Sequence, residues 1–181
     1  MDASLLNKLH TRSEAGHPLR VGLIGAGKFG TMYLSQAHRV QGLHVAGVAD
    51  LSKERIREAF LCAEWPEEQT DARDMDLAIK TGATWQTEDS MALIRADEIE
   101  VIIEATGDPI VGARHAMAAI YHGKHIVMVN VEADVLVGPL LAQNAEKAGV
   151  VYSLAYGDQP ALICELIDWA RMNGFEVVCA G

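Results

Sequence analysis

Short apolar runs alternate with amphipathic stretches along this chain, a pattern that predicts a parallel sheet covered by helices. Arg20 to Ile24 (RVGLI) is a strand ended by a glycine cluster, and a helix should follow from about Lys28 to Val40, with Gly42 as its stop. Leu43 to Ala49 (LHVAGVA) predicts a second strand ending at Asp50, after which Ser52 can cap a helix to about Cys62. Residues 64–82 are the most polar stretch and read as a loop with an extra helix. Thr84 to Thr87 predicts a short strand, and Asp89 or Ser90 opens the next helix. Glu100 to Glu104 (EVIIE) is apolar enough inside to be a strand buried on both faces. The pattern then gives a helix from about Val111 to His122, a strand at His125 to Val129, a helix from Pro139 to Lys147 and a strand at Val150 to Ala155. A last helix follows Pro160 and ends near Asn173, and Phe175 to Cys179 (FEVVC) reads as one more strand. Leu5, Leu6 and Leu9 suit one face of a short amino-terminal helix. The fold class expected is α/β, a doubly wound, mostly parallel sheet.

The strongest chemical signal is Gly25-Ala26-Gly27-Lys28-Phe29-Gly30, a G-x-G-x-x-G that leaves a strand and opens a helix. The first glycine permits the tight turn, the second lets backbone approach a pyrophosphate, and the third lets helix and strand pack closely. Free N–H groups and the positive end of the helix then face the diphosphate. Asp50 ends the next strand twenty positions after Gly30, where a carboxylate accepts hydrogen bonds from an adenosine ribose diol. A nucleoside triphosphatase reading of Gly22 to Phe29 fails, because Phe29 has no hydroxyl for Mg²⁺ and Gly22 lies inside the strand. A methyl-donor site would also use an acidic residue after the second strand, but the glycine spacing is better explained by a pyrophosphate. Asp50 favours NAD by repelling a 2′-phosphate, whereas Lys53 or Arg55 can pair with one, so the choice between NAD and NADP stays open.

Composition narrows the picture. The chain has 181 residues, is 50% apolar and 22% charged, and carries a formal net charge of −10, so it can fill a core but repels phosphate backbones. Nucleic acid is therefore not an expected partner. Neither a membrane-length apolar run nor a secretory signal is present, and Cys62, Cys164 and Cys179 form neither a disulfide framework nor a zinc spacing. A cytoplasmic protein is expected, without membrane association.

Ligands in an open parallel sheet collect beyond the carboxyl ends of the strands, which selects three turns. In Glu104-Ala105-Thr106-Gly107-Asp108-Pro109, small residues admit the ring side of the cofactor and Thr106 can hydrogen-bond it. In Asn130-Val131-Glu132-Ala133-Asp134, Asn130 can bond the cofactor's amide or ribose, while Glu132 and Asp134 either face substrate or favour the next helix's N-terminus. In Tyr156-Gly157-Asp158-Gln159-Pro160, Asp158 or Gln159 can cap the helix that Pro160 begins. The seven histidines show no metal-ligand pattern, and His122 and His125 are expected in solvent. Leu162, Leu166, Trp169 and Met172 read as core or as a dimer face.

VGLIGAGKFG, the turn EATGDP, the stretch GKHIVMVNVEADVLVG and the helix AEKAGV together resemble the NAD(P)-binding Rossmann domain of homoserine dehydrogenase-like oxidoreductases. The ending SLAYGDQPALICELIDWARMNGFEVVCAG is similar to a branch of that group that carries a further SAF-type domain. That branch includes a 1-deoxy-D-xylulose 5-phosphate reductoisomerase-like enzyme of the methylerythritol phosphate route to isoprenoid precursors. The resemblance covers residues 18 to 181. It implies that Gly25, Gly27, Lys28, Phe29 and Gly30 hold the pyrophosphate and that Asp50 meets the ribose. Ala105, Thr106 and Gly107 match the nicotinamide-side turn, and Asn130 matches the Asn of an Asn-Lys turn. Val131 stands where those enzymes have Lys, which removes a cation that would touch cofactor or substrate. Glu132 matches the Glu of the reductoisomerase's Asn-Lys-Glu pattern and favours that side.

The division expected is an amino-terminal helix and linker at 1–19, a dinucleotide-binding domain at 20–156, and the start of a substrate region at 157–181. The segment after the dinucleotide unit is too small to close over a substrate, so the chain reads as the amino-terminal portion of a longer enzyme. The function expected is hydride transfer with NAD(P) to or from a small hydroxy or keto compound, in a homo-oligomer. Glu132 and Asp158 are the catalytic candidates. An alternative is the reductoisomerase-like reaction with NADPH, which would need a divalent metal, and only in that case are Glu132 and Asp158 its candidate ligands. A further alternative is a non-enzymatic NAD(P)-sensing module that regulates a partner.

Overall fold

A computed structural model describes residues 4–155 and 159–180. The chain begins with α1 (Leu5–Glu14), then builds β1 (Leu19–Ile24), α2 (Lys28–Ala37), β2 (Leu43–Ala49) and α3 (Lys53–Cys62). A short 3₁₀ turn and α4 (Met75–Thr81) lead to β3 (Trp85–Thr87) and α5 (Ser90–Arg95). Next come β4 (Val101–Glu104), α6 (Pro109–Tyr121), β5 (His125–Met128), α7 (Val131–Ala148), β6 (Tyr152–Leu154) and α8 (Gln159–Met172).

The strands form one sheet in the order β3-β2-β1-β4-β5-β6, and every adjacent pair is parallel. This is the doubly wound Rossmann arrangement. The winding reverses between β1 and β4, and Ile24 pairs with both Ala49 and Glu104, so three carboxyl ends finish level at the reversal. Side chains alternate between two cores as the pleat requires. Leu23 and Ile103 pack on one face with Leu34, Ile56 and Phe60 from α2 and α3, whereas Ile24 and Ile102 pack on the other with Leu93, Ala116 and Leu141 from α5, α6 and α7. Both faces of β1 and β4 are thereby covered, which is why these strands read as continuous apolar runs.

At the opposite edge, α1 is tied down by Arg12, whose guanidinium donates to both Glu100 oxygens at 2.7 and 2.8 Å. Glu100 also accepts the Arg20 N–H at 3.1 Å, so one carboxylate joins α1, β1 and the start of β4. Lys124 is buried, and its ammonium donates to the carbonyls of Ala96 and Asp97 at 2.8 and 3.3 Å. Among the described residues, no helix is long and apolar enough to cross a membrane.

Two expectations need correction. The helix expected from Pro139 begins at Val131, and Pro139 lies inside it. Asn130 caps that helix by accepting the Ala133 N–H at 3.1 Å, and this start outweighs the amide hydrogen bond that Pro139 cannot make. Residues 175–179 form no strand. Among the described residues no strand pairs with them, and Phe175 stacks on Trp169 of α8, with ring centroids 6.3 Å apart.

Candidate functional site

The site grows from the β1–α2 turn. Gly25 adopts φ +105°, donates its N–H to the Ala49 carbonyl at 2.8 Å, and lies so close to the next turn that a Cβ would be 2.5 Å from the Ala105 oxygen. At Gly30, a Cβ would be 2.2 Å from the Gly25 oxygen, so α2 packs against the turn only because that atom is missing. Gly27 is different: a Cβ there would meet nothing nearer than the Arg55 guanidinium at 3.7 Å. It stands at the N-cap of α2 and supplies no side-chain acceptor. The caps of α1, α3, α4, α5, α6 and α7 are Ser4, Ser52, Asp74, Asp89, Asp108 and Asn130, each accepting from its own first turn. Of the helices α1 to α7, α2 alone has its first-turn N–H groups uncapped by a side chain.

Asp50 sits beside this opening. Its Oδ2 accepts the Ala26 N–H at 2.8 Å, which braces the glycine turn. Its Oδ1 is buried and has no hydrogen-bond partner, although the Arg55 guanidinium lies 3.5 Å away. Arg55 is exposed, and the Lys53 N–H donates to a Glu88 carboxylate oxygen at 3.3 Å.

Beneath the β4–α6 turn lies a polar chain. Glu104 is fully buried at the end of β4 and accepts the Thr106 hydroxyl at 2.6 Å, while its second oxygen lacks a partner. His115 of α6 places Nδ1 3.2 Å from Glu104 and Nε2 2.8 Å from the Ser90 hydroxyl. The Asn130 amide donates to the Asp108 carbonyl at 2.8 Å and the Thr106 hydroxyl at 3.4 Å. With its oxygen occupied by the α7 cap, the Asn130 side chain is spent on joining two turns. The approach of α6 that permits this depends on Gly112, where a Cβ would be 2.5 Å from the Asn130 amide nitrogen.

These elements surround a cleft of about 240 Å³ lined by Gly25, Gly27, Asp50, Arg55, Ser90, Thr106 and His115, among others. The structure gathers Gly25, Gly27, Asp50, Ala105 and Thr106 into one cleft. Lys28 is exposed at the start of α2, and Phe29 packs against the core. Gly107 has φ +76° and open space above it. Glu132 is exposed in the first turn of α7. Asp134 accepts the Tyr152 hydroxyl at 2.7 Å, and burial together with this carboxylate pushes the Tyr152 phenol up from its ordinary pKa. Asp158 lies outside the described residues. No group of three metal-ligating side chains converges among the described residues.

Sequence reasoning passed over Glu104, Ser90 and His115 as a unit. The available signal was a carboxylate ending a doubly buried strand, which demands hydrogen-bond donors in the following turn or helix. His125, expected in solvent, is exposed, but its Nδ1 accepts the Val151 N–H at 2.9 Å.

The family described as an oxidoreductase family with an NAD-binding Rossmann fold matches residues 19–130. The chain belongs to that family. A second family, described as the catalytic domain of oxidoreductase DRL, matches residues 157–181. Similar solved structures include an NAD-binding oxidoreductase from Klebsiella pneumoniae, 19% identical with TM-score 0.56 over 87% of this chain and 39% of that one. A homoserine dehydrogenase from Thiobacillus denitrificans is 20% identical, with TM-score 0.60 over 76% of this chain and 29% of its own. Biliverdin reductase from Synechocystis sp. PCC 6803, solved with biliverdin and NADP+, is 19% identical, with TM-score 0.54 over 86% of this chain and 42% of its own. At these identities the likeness is one of fold, and the chain spans well under half the length of each structure. No curated protein matches it.

Proposed function

We propose that the chain is the cofactor-binding part of an NAD(P)-dependent oxidoreductase that transfers hydride to or from a small hydroxy or keto compound. The observation that carries this reading is the buried Asp50 Oδ1, which makes no hydrogen bond and has only the exposed Arg55 guanidinium 3.5 Å away, beside the uncapped start of α2. A buried acceptor that makes no hydrogen bond is costly, and a ribose hydroxyl would supply one. The first-turn N–H groups of α2 would hold the pyrophosphate, and the bare Gly27 leaves room for it. Thr106, fixed from below by Glu104 and Asn130, would support the nicotinamide side. When bound, the nicotinamide supplies or takes up the hydride.

NADH is the preferred cofactor in this reading. Asp50 and Glu88 put two carboxylates at the ribose end, and Arg55 is turned toward Asp50. Nicotinamide fluorescence titration tests this. Asp50→Ala should weaken NADH about tenfold, and NADPH less, as expected for the loss of charge-assisted hydrogen bonds. Unchanged NADH affinity would count against the ribose role.

The substrate region would begin near residue 157, a division supported by the DRL match over residues 157–181. Homoserine dehydrogenase-like chemistry is the leading form of this reading. The alternative, reduction and isomerisation of deoxyxylulose phosphate, draws support from Glu132, which is exposed at the N-terminus of α7. Steady consumption of NADH or NADPH with each candidate substrate, by a protein that includes the matched catalytic domain in full, separates the two. Binding without turnover would favour a sensing module.

A further inference from the structure

Asp50 Oδ1 is shut off from solvent as well as lacking a hydrogen bond. A ribose hydroxyl can reach it only if a side chain that covers it moves. One terminal nitrogen of Arg55 stands 3.5 Å from this oxygen, and the Arg55 side chain is 54% exposed, against 5% for Asp50. An ion pair so open to water on one side, with no hydrogen bond in it, stabilises little and is readily exchanged. The neighbouring acids are engaged elsewhere. Glu54 accepts the Ser52 hydroxyl at 3.0 Å and pairs with Arg57 at 3.6 Å, and Glu88 accepts the Lys53 N–H.

The same guanidinium also overlooks the phosphate cradle. Its other terminal nitrogen is the nearest atom, at 3.7 Å, to the place where a Cβ of Gly27 would stand, the open ground at the start of α2. Among the described residues that line the cleft, Arg55 supplies the one guanidinium or ammonium group, and Lys28 is not in the lining. We infer that Arg55 binds the diphosphate of the dinucleotide and, while the cleft is empty, occupies the ribose's place on Asp50. On binding, a ribose hydroxyl becomes the donor to Asp50 Oδ1, and the guanidinium turns from that carboxylate to the phosphate oxygens, which match its planar fork. The turn is short, because the group already lies between Asp50 and Gly27. Ribose and diphosphate recognition are thereby linked through one side chain. A nucleoside without phosphates must displace Arg55 and gives it no anion in return. The inference rests on the dinucleotide reading above and adds to it the cation that the diphosphate meets.

The test measures ADP and adenosine by their displacement of NADH, read by nicotinamide fluorescence at low ionic strength, in the wild type and in Arg55→Ala. The Ser52 cap of α3 accepts the backbone N–H of residue 55, so this variant keeps its helix start. Arg55→Ala should weaken ADP about tenfold, as for a lost charge-assisted contact, and should leave adenosine as tight as before or tighter. The NADH affinity of the variant should also fall less steeply with added salt than that of the wild type. If adenosine displaces NADH too weakly to read, the salt dependence decides. Equal losses for ADP and adenosine, unchanged ADP affinity, or an unaltered salt dependence would overturn the inference while leaving NADH binding intact. So would a loss confined to NADPH, which would place Arg55 at a 2′-phosphate. Absence of NADH binding by the wild type would instead overturn the dinucleotide reading itself.

Discussion

Two helices leave the carboxyl edge of the same sheet and begin in opposite ways. At α7, Asn130 fills both turns around it, with its oxygen on the Ala133 N–H and its amide on Asp108 and Thr106. At α2, Gly27 brings no side chain, and the space where one would stand is open. Capping is worth about 1 kcal/mol per helix, and the chain takes it at every other helix from α1 to α7. The contrast separates two uses of one architectural position. A closed start fixes the shape of the edge, and an open start keeps amides available for an anion.

Three substitutions break or sharpen that contrast. The largest effect should come from Gly30→Ala, which drives a methyl group into the Gly25 carbonyl. We expect a loss of about 3 kcal/mol or more in denaturant unfolding, because backbone cannot yield as a side chain can. Next is Gly27→Asp, which gives α2 the kind of start its neighbours have. The backbone there is extended and the space is free, so stability should hold or rise by up to about 1 kcal/mol. NADH affinity should nevertheless fall about a hundredfold, because the new carboxylate takes the amides and repels phosphate. Unimpaired NADH binding would show that the open start has no ligand role. The smallest effect is expected for Asn130→Ala, which should cost about 1–2 kcal/mol in unfolding and alter NADH affinity less than about threefold.

Much of this was legible in the amino-acid pattern. The apolar runs around Val21, Val48 and Ile102 marked the central strands because burial on both faces leaves no polar positions to blur them. Gly25, Gly27 and Gly30 were visible because a tight turn and a close helix approach each need glycine at a fixed spacing, and Asp50 because a carboxylate ends the second strand. The start of α7 was obscured by Pro139, which reads locally as a first-turn residue, while the cap at Asn130 depends on a contact with its own third neighbour. FEVVC had strand propensity but no ladder to join, a fact that belongs to the sheet and not to the segment. The Ser90–His115–Glu104 chain was hidden for a related reason. Its members come from three separate elements, and only the crossing of α5 and α6 under β4 brings them together.

The clamp between Arg12 and Glu100 fixes which pole of the molecule α1 occupies. Because it fastens that helix at the amino ends of β1 and β4, a fluorophore or surface tether attached to the exposed side of α1 would stand across the full depth of the sheet from Gly27. Immobilisation through that helix should leave the cleft facing solution, which makes it the natural handle for single-molecule or biosensor work on this protein.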